Sequence, residues 1–264
     1  MKQTIYLILN SLTLIFALAM NYLSGTGALG GLSVGEVSAM YENLFTPAGY
    51  AFAIWGLIYL LLIAFTGFQW YNWLKKQPDR ELTKTGFWFA LSNIANGLWI
   101  YAWLNSFLGI SILLMLLLLI SLIVLTFQLR LEIWDAPLRI IAFVWWPITI
   151  YLGWITVATV ANFAAYFVSI GWDGGFLSET TWTIIMIITA TIIYILLIYY
   201  RNMREAAIVG VWALVAIAVK QWELNTNVVY AAIIASTILF LYVAIHGFKN
   251  RKTSPLLKIK RGEV

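Results

Sequence analysis

Aromatic and amide side chains recur at helical spacing in three uncharged stretches of the chain. Within each stretch they stand three, four or seven residues apart, so each set shares one face of an α-helix. Such faces combine flat apolar surfaces with a few hydrogen-bonding groups, which is the chemistry of a mostly apolar ligand pocket. The candidate ligand-binding residues are Trp55 and Tyr59 in the first stretch, Asn96, Trp99 and Trp103 in the second, and Tyr151, Trp154, Ala158 and Asn162 in the third.

The same pattern also fits helix packing. Amides inside a membrane join neighbouring helices by hydrogen bonds of about 0.6 to 2 kcal/mol, and aromatic rings fill cores. Ala158, Ala161 and Ala165 suit close contact between helices. Spacing alone therefore leaves binding and packing open.

Ionisable groups are missing from the places where catalysis or ion coupling needs them. No Asp, Glu, Lys, Arg or His falls near the centre of an apolar run, so a proton-coupled carrier is disfavoured. The chain has no cysteine, and a single histidine, His246, makes no metal site. We expect no catalytic residue, no metal and no required cofactor.

The composition predicts an integral membrane protein. The 264 residues are 62% hydrophobic and 10% charged, whereas soluble domains carry about 25% charge. The net charge of +5 reflects basic residues between apolar runs, so we expect no nucleic-acid partner.

The apolar runs predict an all-α, polytopic bundle of about eight transmembrane helices. Thr46 and Pro47 read as an N-cap and first helical residue of the second span, and Pro147 as a kink or start point. The uncharged stretch from Thr85 to Leu129 is too long for one crossing and must turn near Asn105. The predicted spans are about 4–23, 48–68, 85–105, 108–129, 140–170, 180–200, 206–221 and 228–247, of which 206–221 is the shortest.

The placement of charge predicts the orientation. With a cytoplasmic N-terminus, every one of the 16 Lys and Arg residues except Lys220 falls on the inner side. We therefore expect both termini in the cytoplasm, anionic lipid at the inner face, and residence in the cytoplasmic membrane of a prokaryote. The aromatic and amide residues then lie in the outer half, beneath the glycine-rich loop 24–45.

Three sequence stretches resemble the tryptophan-rich sensory protein family, also called the translocator or peripheral benzodiazepine receptor family. Residues 45–59, FTPAGYAFAIWGLIY, are similar to its loop and second-helix signature. Residues 96–99, NGLW, and 151–162, YLGWITVATVAN, are similar to its third-helix and fifth-helix signatures. The chain departs from the family in having Ala48 where a second proline is usual and Ile54 where a proline precedes the tryptophan.

The resemblance implies a five-helix domain over 1–170, followed by three additional transmembrane helices over 171–248 and a basic cytoplasmic tail over 249–264, expected to be mobile. It implies a pocket for planar hydrophobic ligands, such as a porphyrin, heme or a sterol-like lipid, and a possible homodimer. The residues that match pocket positions of the family are Trp55, Asn96, Trp99, Trp154, Ala158 and Asn162.

Three functions compete at this point. The first is a binding protein or sensor for a small hydrophobic ligand. The second is an uncoupled transporter or permease component for an apolar solute, with the additional helices completing a path. The third is a porphyrin-degrading enzyme, which is disfavoured because no carboxylate pair, nucleophile with base, or metal cluster lies in the spans.

Overall fold

The computed structural model describes residues 2–77, 80–251 and 255–262, and over those residues the chain forms helices and connecting turns without any strand. A 3₁₀ segment, Gly49–Ala53, precedes α3, and a π-helical segment, Ile141–Trp145, precedes α8. The helices are α1 Lys2–Gly25, α2 Val34–Met40, α3 Ile54–Leu74, α4 Arg80–Thr85, α5 Trp88–Leu104, α6 Leu108–Gln128, α7 Leu138–Ile140, α8 Trp146–Ser169, α9 Glu179–Arg201, α10 Arg204–Gln221, α11 Thr226–Lys249 and α12 Pro255–Lys260.

Six helical stretches within the described residues are long and apolar enough to cross a membrane. Two predicted spans fall outside that set: α5 has 17 residues, and α10 has 18 residues with charged groups at both ends. Both are nevertheless packed inside the bundle, α5 against α1 and α6, and α10 against α8, α9 and α11. The six stretches are Gln3–Gly25, Gly49–Leu74, Leu108–Gln128, Leu138–Ser169, Glu179–Arg201 and Thr226–Lys249.

The predicted start of the second span is wrong in detail. Thr46 does not cap a helix; its hydroxyl accepts the N–H of Asn43 at 3.2 Å. Ala48 is extended, with φ −58° and ψ 145°, and its N–H donates to the carbonyl of Ala216 on α10 at 3.0 Å. Because this long-range bond keeps the chain extended past Pro47, the helical conformation begins only at Gly49.

Other predicted boundaries agree with the structure. The chain turns between Leu104 and Leu108, and Pro147 lies in the first turn of α8 as its second residue. A proline cannot donate a backbone hydrogen bond into the preceding turn, which fits the π-helical segment directly before it.

Helix α8 is the centre of the bundle. A Cβ atom added to Gly153 would lie 2.8 Å from the backbone of Ala206, so α8 and α10 cross in direct backbone contact. Gly210 of α10 lies under the ring of Tyr194, whose hydroxyl donates to the Gly153 carbonyl at 2.6 Å. Small residues thus allow α8, α9 and α10 to approach closely.

Part of the C-terminal tail is ordered. Residues 255–260 form α12, and Nζ of Lys258 lies 2.6 Å from Oδ1 of Asp135, with its side chain only 5% exposed. The expectation of a mobile tail is therefore wrong for this helix; residues 252–254 and 263–264 lie outside the described residues. The division into 1–170, 171–248 and 249–264 stays a prediction.

Candidate functional site

The candidate site is a cluster of aromatic rings around Trp55 at the start of α3. Its ring stacks on Tyr59, with centroids 5.4 Å apart, and on Trp99, 6.0 Å away. It also meets the edges of Tyr151 at 6.0 Å and Trp154 at 6.3 Å. Side chains from α3, α5 and α8 therefore converge, as the shared helix faces predict.

Hydrogen bonds hold the α5 side of the cluster in place. Nε1 of Trp99 donates to Oδ1 of Asn162 at 2.7 Å, and Nδ2 of Asn162 donates to the hydroxyl of Ser111 at 2.8 Å. Nε1 of Trp103, which stacks on Trp99, donates to the carbonyl of Val34 at 3.1 Å. The indole orientations are thus set by partners on α8 and at the start of α2.

A second polar group lies deeper in the bundle. Oδ1 of Asn96 accepts the hydroxyl of Tyr59 and Nδ2 of Asn21, each at 3.2 Å. Nδ2 of Asn96 and the nearby hydroxyl of Tyr151 are buried without a hydrogen-bond partner. Both atoms therefore remain available for a hydrogen bond.

The predicted site residues face the interior. Trp154 and Asn162 are each 2% exposed and Trp55 is 8% exposed, so none of these three side chains points to lipid. Ala158 is partly buried and packs against the core. The remaining predicted residues, Asn96, Trp99, Trp103 and Tyr151, are buried, and Tyr59 is half-buried.

The rings line a cavity of about 40 Å³, called the aromatic cavity below. No charged side chain lines it. Tyr59, Asn96 and Tyr151 lie behind its wall, whereas the predicted residues that line it are Trp55, Trp99, Trp103, Trp154, Ala158 and Asn162.

The segment from Val34 to Phe52 covers the aromatic cavity and is called the roof. Val34, Phe45 and Phe52 contribute lining side chains. Helix α2 in the roof begins with a capping box in which Ser33 and Glu36 bond each other's backbone N–H. These hydrogen bonds lower the pKa of the Glu36 carboxyl.

Long-range polar contacts fasten the roof to α9 and α10. Nζ of Lys220 lies 2.6 Å from Oε1 of Glu42, and the N–H of Leu44 donates to Oε1 of Glu179 at 3.1 Å. Nε1 of Trp212 donates to the carbonyl of Ala51 at 3.2 Å. The glycine-rich loop is thus part of a lid over the cavity that the later helices hold in place.

Sequence reasoning missed the contribution of α10. Ala213 and Ile217 line the aromatic cavity, although they belong to the helices predicted as additional. Neither residue type stands out in an apolar helix, so no local signal marks them. Ser111 and Asn21, which complete the hydrogen bonds, were also missed; a polar residue within an apolar run is the signal that identifies them.

No metal centre is evident in this part of the protein. Within residues 2–77, 80–251 and 255–262, no group of three or more His, Asp or Glu side chains is arranged to hold a metal ion. The described aromatic cavity therefore offers apolar surface, indole N–H groups and amides.

Comparison with known proteins gives one match. A family model described as TSPO-like protein matches residues 7–245, which runs through α1 to α11 and includes the helices predicted as additional. No curated protein and no solved structure matches the chain.

Proposed function

The chain belongs to the TSPO-like protein family, and on that premise we propose that this integral membrane protein binds a planar hydrophobic ligand in the aromatic cavity. The ligand class is a porphyrin, heme or a sterol-like lipid. The observation that carries the proposal is the convergence of Trp55, Trp99 and Trp154 around one cavity. Their flat faces match a planar apolar molecule, and aromatic stacking favours such a partner.

One unpartnered hydrogen-bond donor supports the same proposal. Nε1 of Trp154 is buried without a hydrogen-bond partner and belongs to a residue lining the cavity. A ligand with a carbonyl, carboxylate or hydroxyl group would supply the missing acceptor. The proposal thus assigns an apolar ring to the tryptophan faces and a polar substituent to the indole N–H.

Ligand entry requires the roof to move. A porphyrin needs more room than the 40 Å³ of the aromatic cavity, so its binding requires the walls to separate. The roof is the moving part in this proposal, since Glu42 and Leu44 hold it by polar contacts to α10 and α9. Binding then couples roof opening to ligand occupancy, as a sensor requires.

The proposed topology has eight crossings with both termini in the cytoplasm of a prokaryote. Helix α5 extends about 26 Å at 1.5 Å per residue, close to the thickness of a hydrocarbon core. Its tight turn into α6 and its packing against α1 favour a full crossing. The basic residues at the inner face support anionic lipid as a partner. The family resemblance supports a second copy of the chain as the other partner, in a homodimer.

The test is a titration of the purified full-length protein with protoporphyrin IX, followed by tryptophan quenching. Trp55→Phe and Trp154→Phe are expected to weaken binding by roughly three- to tenfold through lost stacking area. Trp222→Phe, at an exposed position, is the matched control and retains wild-type affinity. Wild-type affinity in both cavity variants would remove the case for this site.

A specific observation also favours a carrier for apolar solutes. An apolar groove of about 990 Å³ on the bundle surface is lined by Ala53, Ile54 and Trp212, next to the aromatic-cavity residues Phe52 and Trp55. The 3₁₀ segment therefore borders both spaces, with Phe52 lining the cavity and Ala53 lining the groove. Protein-dependent flux of an apolar solute across vesicles would favour this function over sensing alone.

A further inference from the structure

A second cavity, of about 210 Å³, lies at the opposite end of α10 from Lys220. We call it the Glu132 cavity. It forms where the α6–α7 loop, the π-helical segment, the start of α10 and the end of α11 meet. Its walls carry Glu132 and Glu205, together with the paired rings of Trp134 and Trp145, whose centroids are 5.7 Å apart.

Four polar atoms on residues lining the Glu132 cavity are buried without a hydrogen-bond partner. The acceptors are Oε1 of Glu132 and Oε2 of Glu205, and the donors are Nε of Arg204 and Nε1 of Trp145. Glu132 is only 9% exposed. Buried polar groups are normally paired, so unpaired acceptors and donors around one space point to a missing ligand that has both.

The charges around this cavity favour a cationic group. Glu132, Glu205 and Asp135 contribute carboxylates, of which Asp135 is paired with Lys258, so Arg204 faces two glutamates. No cluster that suits a metal ion occurs among the described residues. Carboxylates beside tryptophan faces instead match an organic ammonium group, which bonds the acceptors and interacts with the rings.

We propose that the Glu132 cavity binds an ethanolamine-type head group, in which a primary ammonium stands next to an anionic oxygen. The ammonium contacts the glutamates, and the oxygen takes the N–H groups of Arg204 and Trp145. Arg204 and Glu205 also border the apolar groove, so an acyl chain can continue from the same site. The head group therefore comes either from a membrane lipid or from a soluble phosphoethanolamine.

Ligand binding in the Glu132 cavity is expected to be coupled to the protonation of Glu132. Burial raises the pKa of Glu132 to about 9, and the neighbouring charge of Glu205 adds to the rise while Arg204 opposes it. The other titratable or charged groups near it are Asp135, Lys258 of α12 and His246 of α11. An ammonium bound beside Glu132 favours its ionised form, so binding is expected to release protons.

The first arm of the test is isothermal titration calorimetry of the full-length protein with O-phosphoethanolamine, in buffers of different ionisation enthalpy. Saturable binding with a net release of protons is expected. Glu205→Gln weakens it by roughly tenfold or more, and Glu132→Gln abolishes the proton release. Glu223→Gln, an exposed glutamate elsewhere, behaves like wild type.

The second arm compares phosphatidylethanolamine with phosphatidylcholine in native mass spectrometry of the same protein. Selective retention of phosphatidylethanolamine, lost in Glu205→Gln, identifies a lipid source; a response confined to the soluble compound identifies a free source. Either result supports the head-group chemistry. Equal retention of both lipids without soluble binding overturns it, as does binding of O-phosphocholine as tight as that of O-phosphoethanolamine.

Discussion

Nε1 of Trp99 on α5 donates a 2.7 Å hydrogen bond to Oδ1 of Asn162 on α8, and both side chains line the aromatic cavity. This bond joins two residues that are 63 positions apart in the sequence and lie on different helices. It sets the plane of one cavity wall and links that wall to Ser111 on α6. Binding and packing are therefore not exclusive readings of these residues, because the same amide supports both.

Asn162→Leu is expected to lower the free energy of unfolding by about 1 to 2 kcal/mol, since it leaves the Trp99 indole N–H without its acceptor. Unfolding of the purified protein in a graded detergent mixture measures the change. The control is Thr189→Ala, whose exposed hydroxyl bonds only the Ile185 carbonyl of its own helix. Equal stability of Asn162→Leu and wild type would show that the bond contributes nothing.

Gly153→Ala is expected to cost about 1 to 3 kcal/mol, because the added Cβ would lie 2.8 Å from backbone atoms of Ala206 and the helices must separate. Thermal unfolding of the two purified proteins gives the comparison. Gly67→Ala is the matched control on α3, where an added Cβ meets no atom within 4 Å. If both alanine variants unfold alike, the close α8–α10 crossing does not limit stability.

Lys220→Met removes the ion pair with Glu42 that fastens the roof. Because both partners are partly exposed, stability should change by less than about 1 kcal/mol. The association rate of protoporphyrin IX should rise by roughly two- to fivefold in stopped-flow quenching, since opening the roof becomes easier. Lys75→Met, at an exposed position on another helix end, serves as the control. A slower or unchanged rate would mean that the roof is not the entry path.

Glu132→Gln is expected to change how stability depends on pH. The pKa of Glu132 is raised from 4.5 to about 9 in the folded protein. Its folded state therefore prefers the protonated form, and this favourable contribution is complete below pH 4.5 and is lost as the pH rises towards 9.

Glutamine cannot ionise, so the variant should gain stability over wild type as the pH increases from 5 to 9. The difference between the two thermal midpoints, measured at several pH values, provides the readout. A difference independent of pH would contradict the raised pKa. Glu223→Gln, exposed in the structure, is the control for a general effect of charge removal.

The residue pattern predicted much of the candidate site. Helical spacing placed Trp99 and Asn162 on inward faces, and the structure brings them together. The same pattern did not reveal Ala213 or Ile217, which line the cavity. Small and aliphatic residues are common throughout an apolar helix, so their type does not indicate whether they face lipid, another helix or a cavity. It also misplaced the start of the second span, since a contact with Ala216 on a distant helix holds Ala48 extended.

By itself, the sequence determined that this is a helical membrane protein of the TSPO-like family, because hydropathy, turn residues and signature motifs are local properties. Only the tertiary structure decided the size of the aromatic cavity and the meeting of Glu132 with Glu205. The volume of a cavity depends on how far apart the helices pack and on how much of the space between them the side chains fill. The two glutamates are brought together by helix packing, which no local pattern encodes.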